Sequence, residues 1–270
     1  MSLRMISQDP GATHEADGTA YEKVAQAHGV MLDWDGCVAF HDRPSDAALR
    51  FLREHWHHAA IVSNNSTLRP ADFAQILNDA GIPMPANRIF LAGAEALRRA
   101  KELAPPRVMI IGDAKMKVHA RAMGINIVRD EADLVVLMRD TRFSYAKLCR
   151  AVNCIRAGAK LVVANPDLTH PGLNGRVVPE TGALLAALQT CLGNCPVDME
   201  IIGKPNLRLF DQACRALGVR PANAVMIGDN PDTDGAGAEA LGASWVMIGG
   251  RSAVSFDDLL FERAPSAAIR

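Results

Sequence analysis

The sequence predicts an α/β fold: a doubly wound parallel-sheet core with a second α/β unit inserted into it. Three observations predict this. Short β-rich apolar runs alternate with helical stretches along the chain. Four of those runs end directly in polar residues of chemical interest. Between the second and third of these four, a long block repeats the same strand-and-helix style.

The elements follow in order. The run 29–32 reads as a strand ending at Asp33. A helix over 45–56 has Ser45 as its N-cap after Pro44. The run 59–62 ends at Ser63, and a helix over 70–80 is closed by Gly81. In the middle block, strands are expected at 108–111, 134–137 and 161–163, with helices at 115–123 and 145–157. Thr181 is the expected N-cap of a helix over 183–190. The last block carries the run 201–202, a helix over 206–217, the run 224–227, a helix over 233–241 and a strand over 245–248.

Composition narrows the class. Of 270 residues, 49% are hydrophobic and 22% charged, which suits a packed core and excludes wholesale disorder. A net charge of -1 lacks the electrostatic footprint of a nucleic-acid binder. No apolar run approaches the roughly 18 residues of a membrane span. Residues 1–28 carry Asp9, Glu15, Asp17 and Glu22 without an apolar stretch, so no signal peptide is expected. Residues 1–21 are expected to be a flexible tail, with polar character reaching about His28. The six cysteines include no C-x-x-C pair, which argues against a zinc site, and in a chain of this size without a signal reduced thiols in a cytoplasmic protein are expected. His55, His57 and His58 around Trp56 are expected to be a solvated helix end.

The polar run ends carry the chemistry. Leu32 is followed by Asp33, with Asp35 two residues on; Val62 is followed by Ser63, Asn64 and Asn65. Ile202 is followed by Gly203 and Lys204, and Ile227 by Gly228 and Asp229, with Asp232 and Asp234 nearby. If these strands are neighbours, their carboxyl ends converge on one crevice. Two carboxylates about 4 Å apart repel by about 4 kcal/mol at an effective dielectric near 20. Asp33, Asp35 and Asp229 in one pocket would therefore need shifted pKa values or a cation. Oxygen-only ligands favour Mg²⁺. Lys204 adds a positive charge, and Ser63 and Asn64 add neutral donors. Such a set can hold a phosphoryl group and stabilise its transfer.

Asp33-Trp34-Asp35-Gly36-Cys37-Val38 resembles the nucleophile motif D-x-D-G-x-[TV] of the haloacid dehalogenase superfamily. Ser63-Asn64-Asn65-Ser66, Gly203-Lys204-Pro205 and Gly228 to Asp234 resemble its second, lysine and acidic motifs, in the required order. The long insert, with Ala164-Asn165-Pro166-Asp167 and Thr181-Gly182-Ala183, resembles the α/β cap of the IIA, 4-nitrophenylphosphatase-like branch. The likeness covers about residues 29–250. It implies a Rossmann-like core at 22–91 and 193–270 with a cap at 92–192. It implies Asp33 as a nucleophile forming an aspartyl-phosphate and Asp35 as general acid and base. Asp33, the backbone carbonyl of Asp35, and Asp229 would bind Mg²⁺. Ser63, Asn64 and Lys204 would hold the phosphate with backbone N–H groups near Trp34 and Asp35, and Asp234 would support Lys204 or a metal-bound water. Trp34 stands where the family commonly has a smaller aliphatic residue. In the cap, Asn165, Asp167 and His170 are candidates for the substrate loop. The implied partner is a small phosphate ester such as phosphoglycolate, pyridoxal phosphate, a nucleoside monophosphate or a sugar phosphate, and the implied assembly a homodimer.

Competing features have plainer explanations. Gly112-Asp113 mimics the acidic motif but lacks a following Thr-Asp pair, so a strand-to-helix turn is expected. Gly235-Ala236-Gly237-Ala238-Glu239-Ala240 matches a dinucleotide fingerprint but is separated from its strand by residues 228–234, so helix packing is expected. The fingerprint leaves a nicotinamide-dependent oxidoreductase as a minor alternative, beside a non-catalytic phospho-ligand binder with the same fold. Cys37 is expected to be a buried structural thiol, and Arg139 and Arg142 surface charges.

Overall fold

The computed structural model describes residues 19–40, 43–172, 176–249, 252 and 254–261. The helix α1 (Ala20–Gln26) precedes β1 (Gly29–Leu32) and the short pair β2 (Ala39–Phe40) and β3 (Arg43–Pro44). Next come α2 (Asp46–His55), β4 (Ala59–Ser63), α3 (Pro70–Asp79) and β5 (Ile89–Leu91). The middle of the chain forms α4 (Ala92–Leu103), β6 (Val108–Ile111), α5 (Ala114–Ala122), β7 (Leu134–Leu137), α6 (Tyr145–Arg156) and β8 (Lys160–Val163). After it come β9 (Thr169–Pro171), β10 (Val177–Pro179), α7 (Thr181–Leu192) and β11 (Met199–Ile201). The chain closes with α8 (Leu207–Leu217), β12 (Ala224–Gly228), α9 (Ala236–Leu241) and β13 (Ser244–Met247).

Two parallel sheets organise these elements. The larger has the order β13-β12-β1-β4-β5 and the smaller the order β11-β8-β7-β6. From β1 the chain steps outward to β4 and β5, then returns to fill β12 and β13 on the other side. The order therefore reverses at β1, and a crevice opens there at the carboxyl ends of the strands.

Side-chain alternation explains why both faces of the larger sheet are dry. Val30, Leu32, Ile61, Val225 and Ile227 join Phe51 and Phe73 in one apolar cluster. Met31, Ala60, Val62 and Met226 point the other way, into a second cluster with Phe210. Val108, Ile110, Val136 and Val162 of the smaller sheet enter that same second cluster. The opposite face of the smaller sheet, with Met109, Ile111, Leu137 and Val163, packs on α6 and α7 through Ile155 and Leu188. Thus the two sheets are joined through a shared apolar layer.

Several local expectations differ from the structure. Helix α1 begins inside the expected tail, because Thr19 and Glu22 form a reciprocal capping box; residues 1–18 lie outside the described residues. Glu180, not Thr181, caps α7, and the Thr181 hydroxyl instead lies 3.4 Å from Ser66 Oγ. Residues 231–235 form a π-helical turn before α9, opened by Asn230, whose side chain accepts from the Asp232 N–H. Strand β5 and helix α4 were not expected; the strand is only three residues long, and no side-chain cap marks the start of α4. The expected run at 201–202 overlaps β11 only at Ile201; the strand starts at Met199, pairs with β8 and carries the smaller sheet past residue 192. At Gly235, a Cβ would lie 3.0 Å from the Trp245 ring, so the small residues there serve packing. Among the described residues, no helix is long and apolar enough to cross a membrane.

One contact holds the loop after β4 against α4. The Gly93 N–H donates to Asn65 O at 3.1 Å, and a Cβ at Gly93 would lie 2.6 Å from Ser66 Cα. Backbone cannot yield as a side chain does, so Gly93→Ala is expected to destabilise the protein by about 2 kcal/mol. Urea denaturation checks this, and an unchanged midpoint would contradict the close approach.

Candidate active site

Three of the four polar run ends are neighbours in the larger sheet. Asp33 follows β1, its N–H donating to Ile227 O at 2.9 Å. Ser63 is the last residue of β4, and Asp229 follows β12. The fourth, Lys204, follows β11 and so arrives from the smaller sheet. Its delivery is a matter of backbone anchoring. The Gly203 N–H donates to Ala164 O at 2.7 Å, and the Lys204 N–H donates to Asn64 Oδ1 at 2.7 Å.

The Lys204 ammonium ends between two carboxylates. Its Nζ lies 2.5 Å from Asp33 Oδ1 and 2.6 Å from Asp234 Oδ1. All three side chains are cut off from water: Lys204 is 2% exposed, Asp33 6% and Asp234 0%. Asp234 is further fixed by the Asn230 N–H, which donates to its Oδ2. Carboxylate oxygens of Asp33, Asp229 and Asp234 all lie within 4.8 Å of one another.

The electrostatics follow from this crowding. Burial raises the Asp33 pKa well above the carboxylate range, and Asp234 and Asp229 add to it against the pull of Lys204. Burial, then Asp234, pushes Asp229 up to about 6. Burial opposes the charged form of Lys204, but Asp234 and Asp33 outweigh it and hold its pKa above the ordinary value. One ammonium among three carboxylates leaves an excess of negative charge in a dry pocket. The donors are all oxygen, so the cluster is suited to a hard divalent cation. Gly36 makes room for it: its φ is +88°, and a Cβ there would collide with the Asp229 carboxylate.

The other expected residues are distributed unevenly. The Asp35 side chain is exposed and outside the carboxylate cluster, with Asn65 Nδ2 3.5 Å from its Oδ2. The Trp34 ring packs against Phe73 with centroids 4.5 Å apart, and its buried Nε1 has no hydrogen-bond partner among the described residues. The side chain thus belongs to the core and only the backbone is left for the site. Ser63 Oγ accepts from the Asn65 N–H at 3.0 Å. Asn64 is engaged differently from the expected phosphate donor. Its Nδ2 donates to Lys204 O and to Asp167 Oδ1, both at 3.2 Å, so the amide clamps the lysine backbone.

From the smaller sheet, Asn165 Nδ2 donates to Asn64 O at 2.7 Å, and Asp167 reaches Asn64 directly. Burial raises the Asp167 pKa. His170 sits farther along, its Nδ1 2.7 Å from Glu180 Oε1 but off the direction of a good hydrogen bond. Arg139 Nε lies 3.6 Å from the same oxygen, and the Arg139 N–H donates to Ser66 Oγ, so this arginine is not a free surface charge. The sequence offered no signal for Glu180, because it acts through Arg139 and His170, which are distant in the chain. Asp113 stands at the N-cap position of α5 in the expected strand-to-helix turn, and its carboxylate accepts from the Thr141 N–H and hydroxyl at 3.1 and 2.9 Å. The Cys37 thiol is buried 3.6 Å from Ile227 O, and burial pushes its pKa up, which makes it inert.

Known proteins share this arrangement of chain. Residues 30–126 match the family model described as haloacid dehalogenase-like hydrolase, and residues 201–255 match an HAD-hydrolase-like model. An acid sugar phosphatase of Staphylococcus saprophyticus is 31% identical over 76% of this chain and 79% of its own length. The structure of a 4-nitrophenylphosphatase from Thermotoga maritima superimposes with a TM-score of 0.75 at 26% identity, covering 85% of this chain and 88% of that one. A glycerol phosphate phosphatase from Mycobacterium tuberculosis, solved in complex with magnesium, gives a TM-score of 0.74 at 29% identity over 89% of this chain and 73% of that one. Taken with the ordered motifs and the buried carboxylate cluster, these similarities show that the chain belongs to the haloacid dehalogenase-like hydrolases, in their 4-nitrophenylphosphatase-like branch, and is a phosphomonoester hydrolase.

Proposed function

We propose that this hydrolase is a cytoplasmic, Mg²⁺-dependent phosphatase of a small phosphorylated metabolite, with Asp33 as its nucleophile. The observation that carries this is the Lys204 ammonium held between Asp33 and Asp234 beside Asp229. The relatives named for acid sugar and glycerol phosphate activity support a small phosphate ester as substrate.

The residues divide the work. Lys204 engages one oxygen of the Asp33 carboxylate, which leaves the other oriented for attack. That oxygen forms a bond to phosphorus as the ester P–O bond breaks. Asp35, outside the cluster and at the exposed rim, gives its proton to the departing oxygen. In the second step Asp35 takes a proton from water. That water attacks phosphorus, inorganic phosphate leaves, and the Asp33 carboxylate is restored. The Ser63 hydroxyl and Lys204 hold the phosphoryl oxygens, and Asn64 keeps Lys204 in place. Asp33, Asp229 and the Asp35 carbonyl would hold Mg²⁺, with Asp234 fixing Lys204 behind them. When bound, the cation would neutralise carboxylate repulsion and charge on the phosphoryl oxygens.

The smaller sheet and its helices, from about residue 92 through β11, are proposed to act as the cap that selects the leaving group. Asn165 and Asp167 stand on its side of the crevice, next to Asn64. Exclusion of bulk water by this unit would strengthen every charge interaction inside.

Asp33→Asn is expected to lower Mg²⁺-dependent phosphate release by at least ~10³-fold while the fold persists. A phosphate-release assay over a metabolite panel checks this, and parent-level activity would remove Asp33 from the nucleophile role. Lys204→Met strips the only ammonium described between Asp33 and Asp234 and leaves their charges buried. It is expected to cost about 3 kcal/mol of stability without Mg²⁺, and less with it. Denaturation with and without Mg²⁺ measures the difference, and equal stability of variant and parent would contradict the buried ion cluster.

A further inference from the structure

We propose that His55 and His58, backed by His57, form a second metal site that takes a borderline divalent ion such as Zn²⁺, Ni²⁺ or Cu²⁺ and is separate from the acidic active site. The three histidines span the end of α2 and the single turn Trp56–His58 that leads into β4. His55 Nδ1 lies 3.3 Å from His58 Nε2. A tetrahedral ion with metal–nitrogen bonds of about 2.0–2.1 Å sets its ligand nitrogens roughly 3.3 Å apart. The pair therefore already has the spacing of a two-imidazole chelate.

The rings are held in position. His55 stacks on Phe51 with centroids 4.3 Å apart and planes 26° from parallel, and Phe51 is itself packed on Phe256 at 5.3 Å. His57 Nε2 lies 3.0 Å from His58 Nδ1. With the proton on His58 Nδ1 donated to His57, the lone pair of His58 Nε2 faces His55. This is the outer hydrogen bond that fixes the tautomer and orientation of a metal-ligating histidine.

The metal-free state accounts for the same contacts as a chain of neutral imidazoles, with the shared proton on His55 Nδ1. Metal binding would require that proton to leave Nδ1 and another to join Nε2 through water. The ring stays neutral, and no net proton is released near pH 7.

The surroundings select the kind of ion. Among the described residues, none of the three histidines is ion-paired with a carboxylate. The Arg88 guanidinium donates to Trp56 O at 3.3 Å and to His57 O at 2.5 Å, adding positive charge. With no carboxylate ion-paired to these histidines among the described residues, the donors on offer are imidazole nitrogens, which suit zinc, nickel and copper better than a hard cation such as Mg²⁺. Arg88 limits the affinity without removing the donors. The site is also distant from the chemistry. His58 precedes β4 and Ser63 ends it, so the two lie at opposite ends of a strand roughly 15 Å long. A bound ion would clamp the end of α2 to the start of β4.

Calorimetric titration of ZnCl₂ and of NiCl₂ into the full chain, with Mg²⁺ saturating the acidic cluster, tests this. One equivalent is expected to bind and to raise the melting temperature. His55→Gln and His58→Gln are each expected to weaken binding at least ~tenfold, and His57→Gln by about threefold. All three variants are expected to keep parental Mg²⁺-dependent phosphatase activity, which verifies their fold. Absence of binding to the parent, or parental affinity in both His55→Gln and His58→Gln, would overturn the proposal. So would binding that survives these variants and vanishes in Asp229→Asn, because the ion would then belong to the acidic cluster.

Discussion

The site depends on one buried ammonium. Lys204 occupies a place where water is excluded and where Asp33, Asp229 and Asp234 crowd together. Without a positive charge the three carboxylates could not remain ionised so close to one another, since each pair repels by several kcal/mol in a medium of moderate dielectric. With it, negative charge still exceeds positive charge, and that imbalance makes the cluster a receptor for a divalent cation. Stability and chemistry therefore draw on a single electrostatic arrangement.

That arrangement also constrains the architecture. Lys204 comes from the end of β11, in the smaller sheet, while its partners stand at the ends of β1 and on the turn after β12, in the larger one. The ammonium can reach them only if the two sheets are docked. Two devices dock them. One is the apolar layer in which Val108, Ile110 and Val162 meet Met31, Val62 and Phe210. The other is polar and local: Asn64 binds the Lys204 backbone on both its N–H and its carbonyl, and its own carbonyl accepts from Asn165. A single amide side chain thus ties the second motif, the lysine turn and the smaller sheet together. Charged contacts between α4 and α8 reinforce the junction, with Arg208 bound to Glu102 and Gln212 to Glu95.

Much of this was legible in the sequence, for identifiable reasons. Strands β1, β4 and β12 are continuous apolar runs because both faces of their sheet are covered, and each ends abruptly in the polar residues the crevice needs. Asp33, Asp229 and Lys204 could be singled out because phosphoryl transfer demands those residue types, and the ordered motifs restricted where they stand. Other features depend on partners far away in the chain. The run at 201–202 looks like the other strands, yet register with Leu161 to Val163 puts β11 in the smaller sheet. The side-chain amide of Asn64 is occupied by Lys204 and Asp167, a link across more than a hundred residues that the sequence does not signal. Thr181 has the right chemistry for a helix cap, but its hydroxyl is turned toward Ser66 and Glu180 takes the role. Arg139 reads as solvated until Ser66 and Glu180 are brought to it.

The central claim is that the Asp33 carboxylate becomes covalently bonded to phosphorus. Rapid acid quenching of the wild-type enzyme during Mg²⁺-dependent turnover, followed by peptide mass spectrometry, tests it most directly. The account predicts one added phosphoryl group on the peptide containing Asp33, lost on treatment with hydroxylamine. Turnover with no adduct on that peptide, or an adduct on a different residue, would contradict it.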